Sequence, residues 1–209
     1  MMCPLCKSEK TGLFYSGNQR HYFRCSSCEL IFLSQDCFLE PKDEKARYST
    51  HRNSPDDIQY RNFLNRMIEP LIPFLRTRAV GLDYGCGPGP TVSVMLEEHD
   101  FVVFNYDPYF YPKKELLETT YDFVTCTEVV EHFYSPGKDF ESLFLLIKEE
   151  GTLGIMTQLY DDSIDFESWY YKNDETHVSF YTRKTFQHLA KAYNRNVHFF
   201  EKSVMIFTK

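Results

Sequence analysis

The stretch AVGLDYGCGPGP, from Ala79 to Pro90, sets the tightest limit on how this chain folds. An apolar strand that runs directly into closely spaced glycines is the entry to a ligand loop in an α/β domain. The backbone there must turn sharply and let a bound group approach it. The following sequence keeps alternating. VSVMLEEH reads as a helix, FVVFNYDP as a second strand and YDFVTCTEVVEHF as a third. KDFESLFLLIKEEG reads as a helix closed by its glycine, TLGIMTQL as a buried strand, RKTFQHLAKAYN as an amphipathic helix, and VHFFEK and SVMIFTK as closing strands. This alternation predicts an α/β fold with a mostly parallel sheet and a ligand site at the carboxyl ends of its strands.

The turn also limits the ligand. A dinucleotide fingerprint needs G-x-G-x-x-G, and GCGPGP carries Pro90 at the third glycine position. Asp83, just before the turn, would repel a pyrophosphate but suits the cationic amine or sulfonium of S-adenosylmethionine. Asp107 ends the next strand, where a carboxylate can accept both ribose hydroxyls. The bland alternative is a glycine-rich turn in an unliganded α/β protein.

Taken in order, LDYGCGPG, NYDP, YDFVTCTEVVEH and GTLGIMT resemble the class I S-adenosylmethionine-dependent methyltransferases, over roughly 79–209. The resemblance implies a Rossmann-like sheet and a cofactor site. Gly85, Cys86, Gly87 and Gly89 would form its loop, Asp83 would face the methionine part, Asp107 would bind ribose, and Thr127 would stand at the end of the third strand. One departure matters. Only PYFYPKKELLETT separates the ribose-binding acid from the next core strand, so the family's third strand is expected to be missing or reduced. The adenine pocket would then be shallow or built from Tyr109, Phe110 and Tyr111.

EVVEH, Glu128 to His132, follows a strand whose carboxyl end faces the reacting methyl group. On a helix its carboxylates and imidazole would share one face, within reach of a single cation. The segment is similar to the E-x-x-E-H of two methyltransferase groups that hold a divalent ion: the ubiquinone-pathway O-methyltransferases and the small-RNA terminal 2′-O-methyltransferases. In the RNA group a second histidine completes the site, and HVSFYTRKTF, from His177 to Phe186, is similar to the stretch that carries it. Three readings therefore stand. Glu128, Glu131, His132 and His177 hold a second divalent cation; His132 or His177, with Glu128 nearby, serves as a catalytic general base; or the histidines are structural, orienting substrate or capping a turn. Trp169, Tyr170 and Tyr171 precede His177 and either frame a planar acceptor or belong to the core.

The N-terminus carries a separate signal. CPLC and CSSC place Cys3, Cys6, Cys25 and Cys28 in two C-x-x-C pairs joined by a hairpin-like stretch with a Gly-Asn turn. Two matched pairs predict a closed tetrahedral zinc ribbon over 1–34, a structural or recognition site with no open position for substrate. A redox dithiol is the rival reading. Lys7, Lys10, Arg20 and Arg24 give the ribbon a small basic surplus, which suits either RNA or a solvated hairpin packed on its neighbour. The connector 35–76 reads as polar and irregular up to Asp57. It continues as a helix with Ile58, Phe63, Met67, Leu71 and Leu75 on its core stripe and a bend or stop near Pro70. The domain with the glycine loop then occupies 77–209.

A net charge of -7 argues against sequence-independent binding to nucleic acid, and no apolar run approaches membrane-spanning length. An odd cysteine total without a secretion signal favours reduced thiols and a cytoplasmic location. The expected function is S-adenosylmethionine-dependent methylation of a small molecule, preferably at oxygen. RNA is the alternative acceptor, and a non-catalytic zinc-ribbon interaction protein is the alternative of a different kind.

Overall fold

The computed structural model describes residues 1–50 and 53–209, the side chain of Pro41 aside. Strands β1 (Thr11–Gly17) and β2 (Arg20–Cys25) pair antiparallel. Their turn falls on Asn18 and Gln19, both at positive φ (51° and 59°), one residue beyond the expected Gly-Asn. Left-handed residues at both central positions match the twist of a two-residue hairpin. Strand β3 (Ile31–Leu33) adds antiparallel to β2.

The connector is less irregular than expected, because helix α1 (Pro41–Tyr48) lies within it. The local signals were present: proline at the start, Asp43 and Glu44 in the first turn, Lys45 and Arg47 in the last. Helix α2 (Ile58–Leu71) starts at Asp57, whose carboxylate accepts from the Gln59 and Tyr60 amides at 2.8 and 3.2 Å. It runs through Pro70 and then tightens into a single 3-10 turn, Ile72–Phe74. Its buried stripe is Leu64, Met67, Ile68 and Leu71. Ile58, expected on that stripe, is 73 % exposed. At 100° per residue it stands roughly 120° around the helix from Leu64.

The main domain follows as β4 (Val80–Tyr84), α3 (Thr91–Glu97), β5 (Val102–Tyr106), β6 (Tyr121–Thr127), α4 (Pro136–Leu145) and β7 (Ile147–Met156). The chain then forms β8 (Ser179–Phe180), α5 (Arg183–Ala192), β9 (Asn196–Phe200) and β10 (Val204–Thr208). Six strands make a mixed sheet in the order β5-β4-β6-β7-β10-β9. The first four are parallel, and β10 is antiparallel to both its neighbours. Helix α4 stops well short of the expected Gly151, because Ile147 already pairs with Tyr121 across the sheet. Thr182 caps α5 through a reciprocal Thr182–Thr185 pair, and Phe186 is fully buried.

Strand β5 is the edge of this sheet among the described residues. Between it and β6 the chain folds back through an Asp107–Tyr111 bridge and one short 3-10 segment, Lys114–Glu118. Helices cover both faces. Leu64, Met67, Val92 and Leu96 pack with Phe123 and Met156 on one, and Phe140, Leu143, Phe186 and Leu189 with Val124 and Leu153 on the other.

The N-terminal hairpin does not stand apart. β3 pairs with β8, so a second sheet runs β1-β2-β3-β8, and Cys3, Leu5, Cys25, Cys28 and Leu30 share a core with α4 and α5. Arg20 donates to the carbonyls of Lys172, Glu175 and His177, and Arg24 pairs with Glu29 and Asp162, both at 2.6 Å. Among the described residues, no helix is long and apolar enough to cross a membrane.

Candidate active site

A cavity of about 730 Å³ opens at the carboxyl ends of β4, β5 and β6. Its floor is the glycine turn. Gly85 and Gly87 hold φ of +77° and +66°, and a Cβ on Gly85 would lie 2.5 Å from Val129. The amides of Gly85 and Cys86 donate to the Tyr106 carbonyl, tying the turn to β5. Cys86, Gly87 and Pro88 line the cavity. Gly89 does not line it; it packs instead on the Asn53 backbone, where a Cβ would come within 2.0 Å of the carbonyl oxygen.

Two buried carboxylates face this turn. Asp83, 2 % exposed, accepts from Thr125 Oγ1 at 2.8 Å, and burial pushes its carboxyl up to about 7. Asp107 accepts from the Gly87 amide at 3.1 Å and from the Tyr109 and Phe110 amides at 2.8 and 3.0 Å. That arrangement fixes the loop DPYFY against the glycine turn. Tyr109 and Phe110 line the cavity, whereas Tyr111 is absent from its wall. Thr127, at the end of β6, also lines it, and its Oγ1 is buried without a hydrogen-bond partner among the described residues.

EVVEH is not an α-helix. Glu128 sits at φ +53°, its amide donates to the Met156 carbonyl, and Val130–His132 form one 3-10 turn. This strained exit from β6 changes which side chains meet. Glu131, His132 and His177 bring one ligand atom each within 4.8 Å of one another, and Glu128 lies outside that set. The Tyr171 hydroxyl donates to Glu131 Oε1 at 2.6 Å and lies 3.2 Å from Glu128 Oε2, with Thr157 Oγ1 at 3.0 Å. Burial, reinforced by Glu131, raises the Glu128 carboxyl well above its ordinary range. Glu131 is 1 % exposed, and its Oε2 has no partner among the described residues.

The two imidazoles are oriented alike. His132 Nδ1 lies 3.0 Å from the Thr176 carbonyl and His177 Nδ1 2.7 Å from the Tyr171 carbonyl. A carbonyl only accepts, so each Nδ1 carries a proton, which leaves Nε2 as the acceptor atom of the neutral ring. The rings pack edge to face, 4.8 Å between centroids. Burial holds His177 below its ordinary value.

In the N-terminal unit, Cys3 and Cys28 lie 3.6 Å apart, Cys6 and Cys25 likewise, and all four sulfurs fall within 4.8 Å. Sulfurs about 2.3 Å from a tetrahedral centre would be about 3.8 Å apart, so the spacing matches a four-thiolate metal site.

The sequence pattern of a methyltransferase-domain family matches residues 57–198. The chain belongs to that family. No curated protein matches this sequence. Among solved structures, it is similar to CalO1, a methyltransferase in calicheamicin biosynthesis in its SAH-bound form (TM-score 0.52, 11 % identity, covering 80 % of this chain and 58 % of that one). It is also similar to an O-methyltransferase family protein from Burkholderia thailandensis (0.53, 11 %, 79 % and 62 %). A third likeness is to the magnesium protoporphyrin IX methyltransferase of Synechocystis PCC 6803 with bound SAH (0.51, 11 %, 79 % and 92 %). The chain thus spans about 60 % of the length of the first two, and the likeness is one of fold.

The cavity has walls that sequence reading passed over. Helix α1 contributes Glu44 and Tyr48, and α2 contributes Tyr60 and Phe63. Arg47 of α1 pairs with Asp174 at 2.7 Å, fastening this helix to the segment that carries His177. Trp169, Tyr170 and Tyr171 are absent from the wall. Trp169 and Tyr171 are buried in an aromatic cluster with Tyr22, Phe166 and Phe180, and Tyr170 is exposed.

Proposed function

We propose that this methyltransferase uses S-adenosylmethionine to methylate a hydroxyl oxygen of a small molecule in the cytoplasm. The observation that carries the oxygen assignment is the pair of imidazoles, each fixed through Nδ1–H on a backbone carbonyl and each offering Nε2 beside the cavity. A hydroxyl must lose its proton as it attacks, and a neutral imidazole is suited to take it.

S-Adenosylmethionine, when bound, supplies an electrophilic methyl group on a sulfonium. Asp107 would hold its ribose, the glycine turn would let its amino-acid portion approach the backbone closely, Asp83 would offset its positive charge, and Thr127 would offer its unpartnered Oγ1. The acceptor oxygen would take the methyl group with S-adenosylhomocysteine as the leaving group, and Nε2 of His177 or His132 would take the hydroxyl proton. Enclosure by α1 and alignment of the two reactants provide most of the acceleration. The four cysteines would hold structural zinc, which suits a reducing compartment.

A second reading of the same imidazoles is favoured by Glu131 Oε2, a buried carboxylate oxygen with no partner among the described residues. Glu131, His132 and His177 would hold a divalent cation that lowers the acceptor's pKa, with Glu128 kept outside the first ligand set. Each Nδ1–H to carbonyl contact is the outer support that metal-binding histidines use.

The test is transfer of labelled methyl from S-adenosylmethionine to a panel of hydroxylated small molecules, with and without added divalent metal. His177→Ala is expected to lower turnover about 100-fold or more while S-adenosylhomocysteine still binds. Unchanged turnover would remove His177 from the site. A metal role predicts Mn²⁺ binding to the zinc-loaded protein that His177→Ala abolishes.

A further inference from the structure

Glu44 is a buried acid without a counter-ion among the described residues. It is 7 % exposed and accepts from the Tyr48 hydroxyl at 2.8 Å and the Tyr109 hydroxyl at 3.2 Å. It makes no ion pair among the described residues. The Lys45 ammonium lies instead over the Tyr109 ring, 5.9 Å from its centroid. A carboxylate removed from water and left unpaired favours a cation brought to it.

The surroundings of Glu44 are aromatic. Tyr48 and Tyr109 pack at 5.8 Å between centroids, and Tyr134, backed by Phe38 at 4.5 Å, is close enough for Glu44 to help push its phenol up to about 12. All four residues of this box line the cavity. Electron-rich ring faces around a carboxylate are the chemistry that recognises an ammonium group. The cavity as a whole agrees. Apart from its histidines, every charged side chain lining it is a carboxylate, and no lysine or arginine is among its described residues. Asp83 and Asp107 lie by the glycine turn and are matched to the cofactor, Asp174 is paired with Arg47, and Glu128 and Glu131 meet the Tyr171 hydroxyl, which leaves Glu44 and Asp139 for the acceptor's charge. Independently, Glu131 Oε2 is a buried acceptor oxygen of a residue in the same wall, with no partner among the described residues.

We infer that the methyl acceptor is a small hydroxylated amine whose protonated nitrogen seats among Glu44, Tyr48, Tyr109 and Tyr134 while its hydroxyl reaches the imidazole pair. The inference rests on the methyltransferase reading of this cavity and names its substrate class. Tyr48 sets the distance. Its ring also meets His132 edge to face, at 5.2 Å, so the ammonium and hydroxyl ends of the acceptor are separated by about one ring. A nitrogen kept protonated by Glu44 has no lone pair to attack the sulfonium, which directs the methyl group to oxygen. An anionic acceptor, including a nucleic-acid phosphate, meets no cationic side chain in the described wall.

The experiment titrates protein preloaded with S-adenosylhomocysteine with three probes of one shape: tyramine, para-ethylphenol and para-hydroxyphenylpropionate. Tyramine is expected to bind at least tenfold more tightly than the neutral phenol, and the anion more weakly than either. Glu44→Gln should erase the advantage of tyramine and leave S-adenosylhomocysteine affinity within about twofold, which also shows that the variant is folded. Three affinities alike, an anion preference, or no tyramine binding at millimolar concentration would overturn the inference, and so would a Glu44→Gln variant that loses S-adenosylhomocysteine instead. Failure of the wild-type protein to bind S-adenosylhomocysteine at all would count against the methyltransferase reading itself.

Discussion

Asp83 and Asp107 differ in what surrounds their charge. Asp107 takes three backbone amides, whereas Asp83 has one threonine hydroxyl and is pushed from 3.8 to about 7, which disfavours its charged form by roughly 4 kcal/mol. A carboxyl whose folded value lies above its unfolded value supports folding fully below 3.8, and that support is lost as pH rises to about 7. Asp83→Asn is therefore expected to raise the Tm of the ligand-free protein at pH 8 far more than at pH 4. Equal shifts at both pH values would contradict the burial argument. A cationic ligand reverses the cost. Binding of S-adenosylmethionine at pH 6 should release up to one proton, read from calorimetry in buffers of different ionisation enthalpy, and should tighten as pH approaches 7. No proton release would separate Asp83 from the cofactor's charge. Both acids were legible in the sequence because each ends a strand beside the turn. Glu44 was not legible, since only the tertiary packing of α1 brings it over the site.

The elements carry a coupling that residue-by-residue reading does not reveal. β8 begins two residues after His177 and completes the sheet of the N-terminal hairpin, and Arg20 of β2 donates to the His177 carbonyl at 3.1 Å. The cysteine site thus braces the strand that presents an imidazole. Removing metal with a strong chelator is expected to abolish turnover while weakening S-adenosylhomocysteine binding much less, because the glycine turn belongs to the other sheet. Equal loss of both would mean that the two sheets unfold together. EVVEH shows the limit of periodicity. Offsets that suit a helix instead meet a left-handed Glu128 and one 3-10 turn, and His177, Glu131 and His132 converge without Glu128. The strand–helix alternation of the main domain was legible because its apolar runs are long. Helix α1 was missed because its signals are polar and lie only at its ends.

At the scale of the molecule, the shortened 108–120 segment leaves β5 as a sheet edge with Val102 and Phe104 exposed by 50 % and 43 %. The missing strand was readable as a length deficit. Its consequence, an uncovered apolar edge, needed the sheet order. Val102→Lys is expected to reduce self-association at high concentration and to cost less than about 1 kcal/mol in stability. A large fall in Tm would show that this edge is covered in solution. The same deficit leaves the loop of Tyr109 and Phe110, tied to Asp107, as the cavity wall beyond β5, so cofactor binding is the property most directly at stake. Calorimetric titration of the zinc-loaded protein with S-adenosylhomocysteine tests it most directly. The account predicts stoichiometric binding that Asp107→Ala abolishes; absence of binding, or binding indifferent to Asp107, would contradict it.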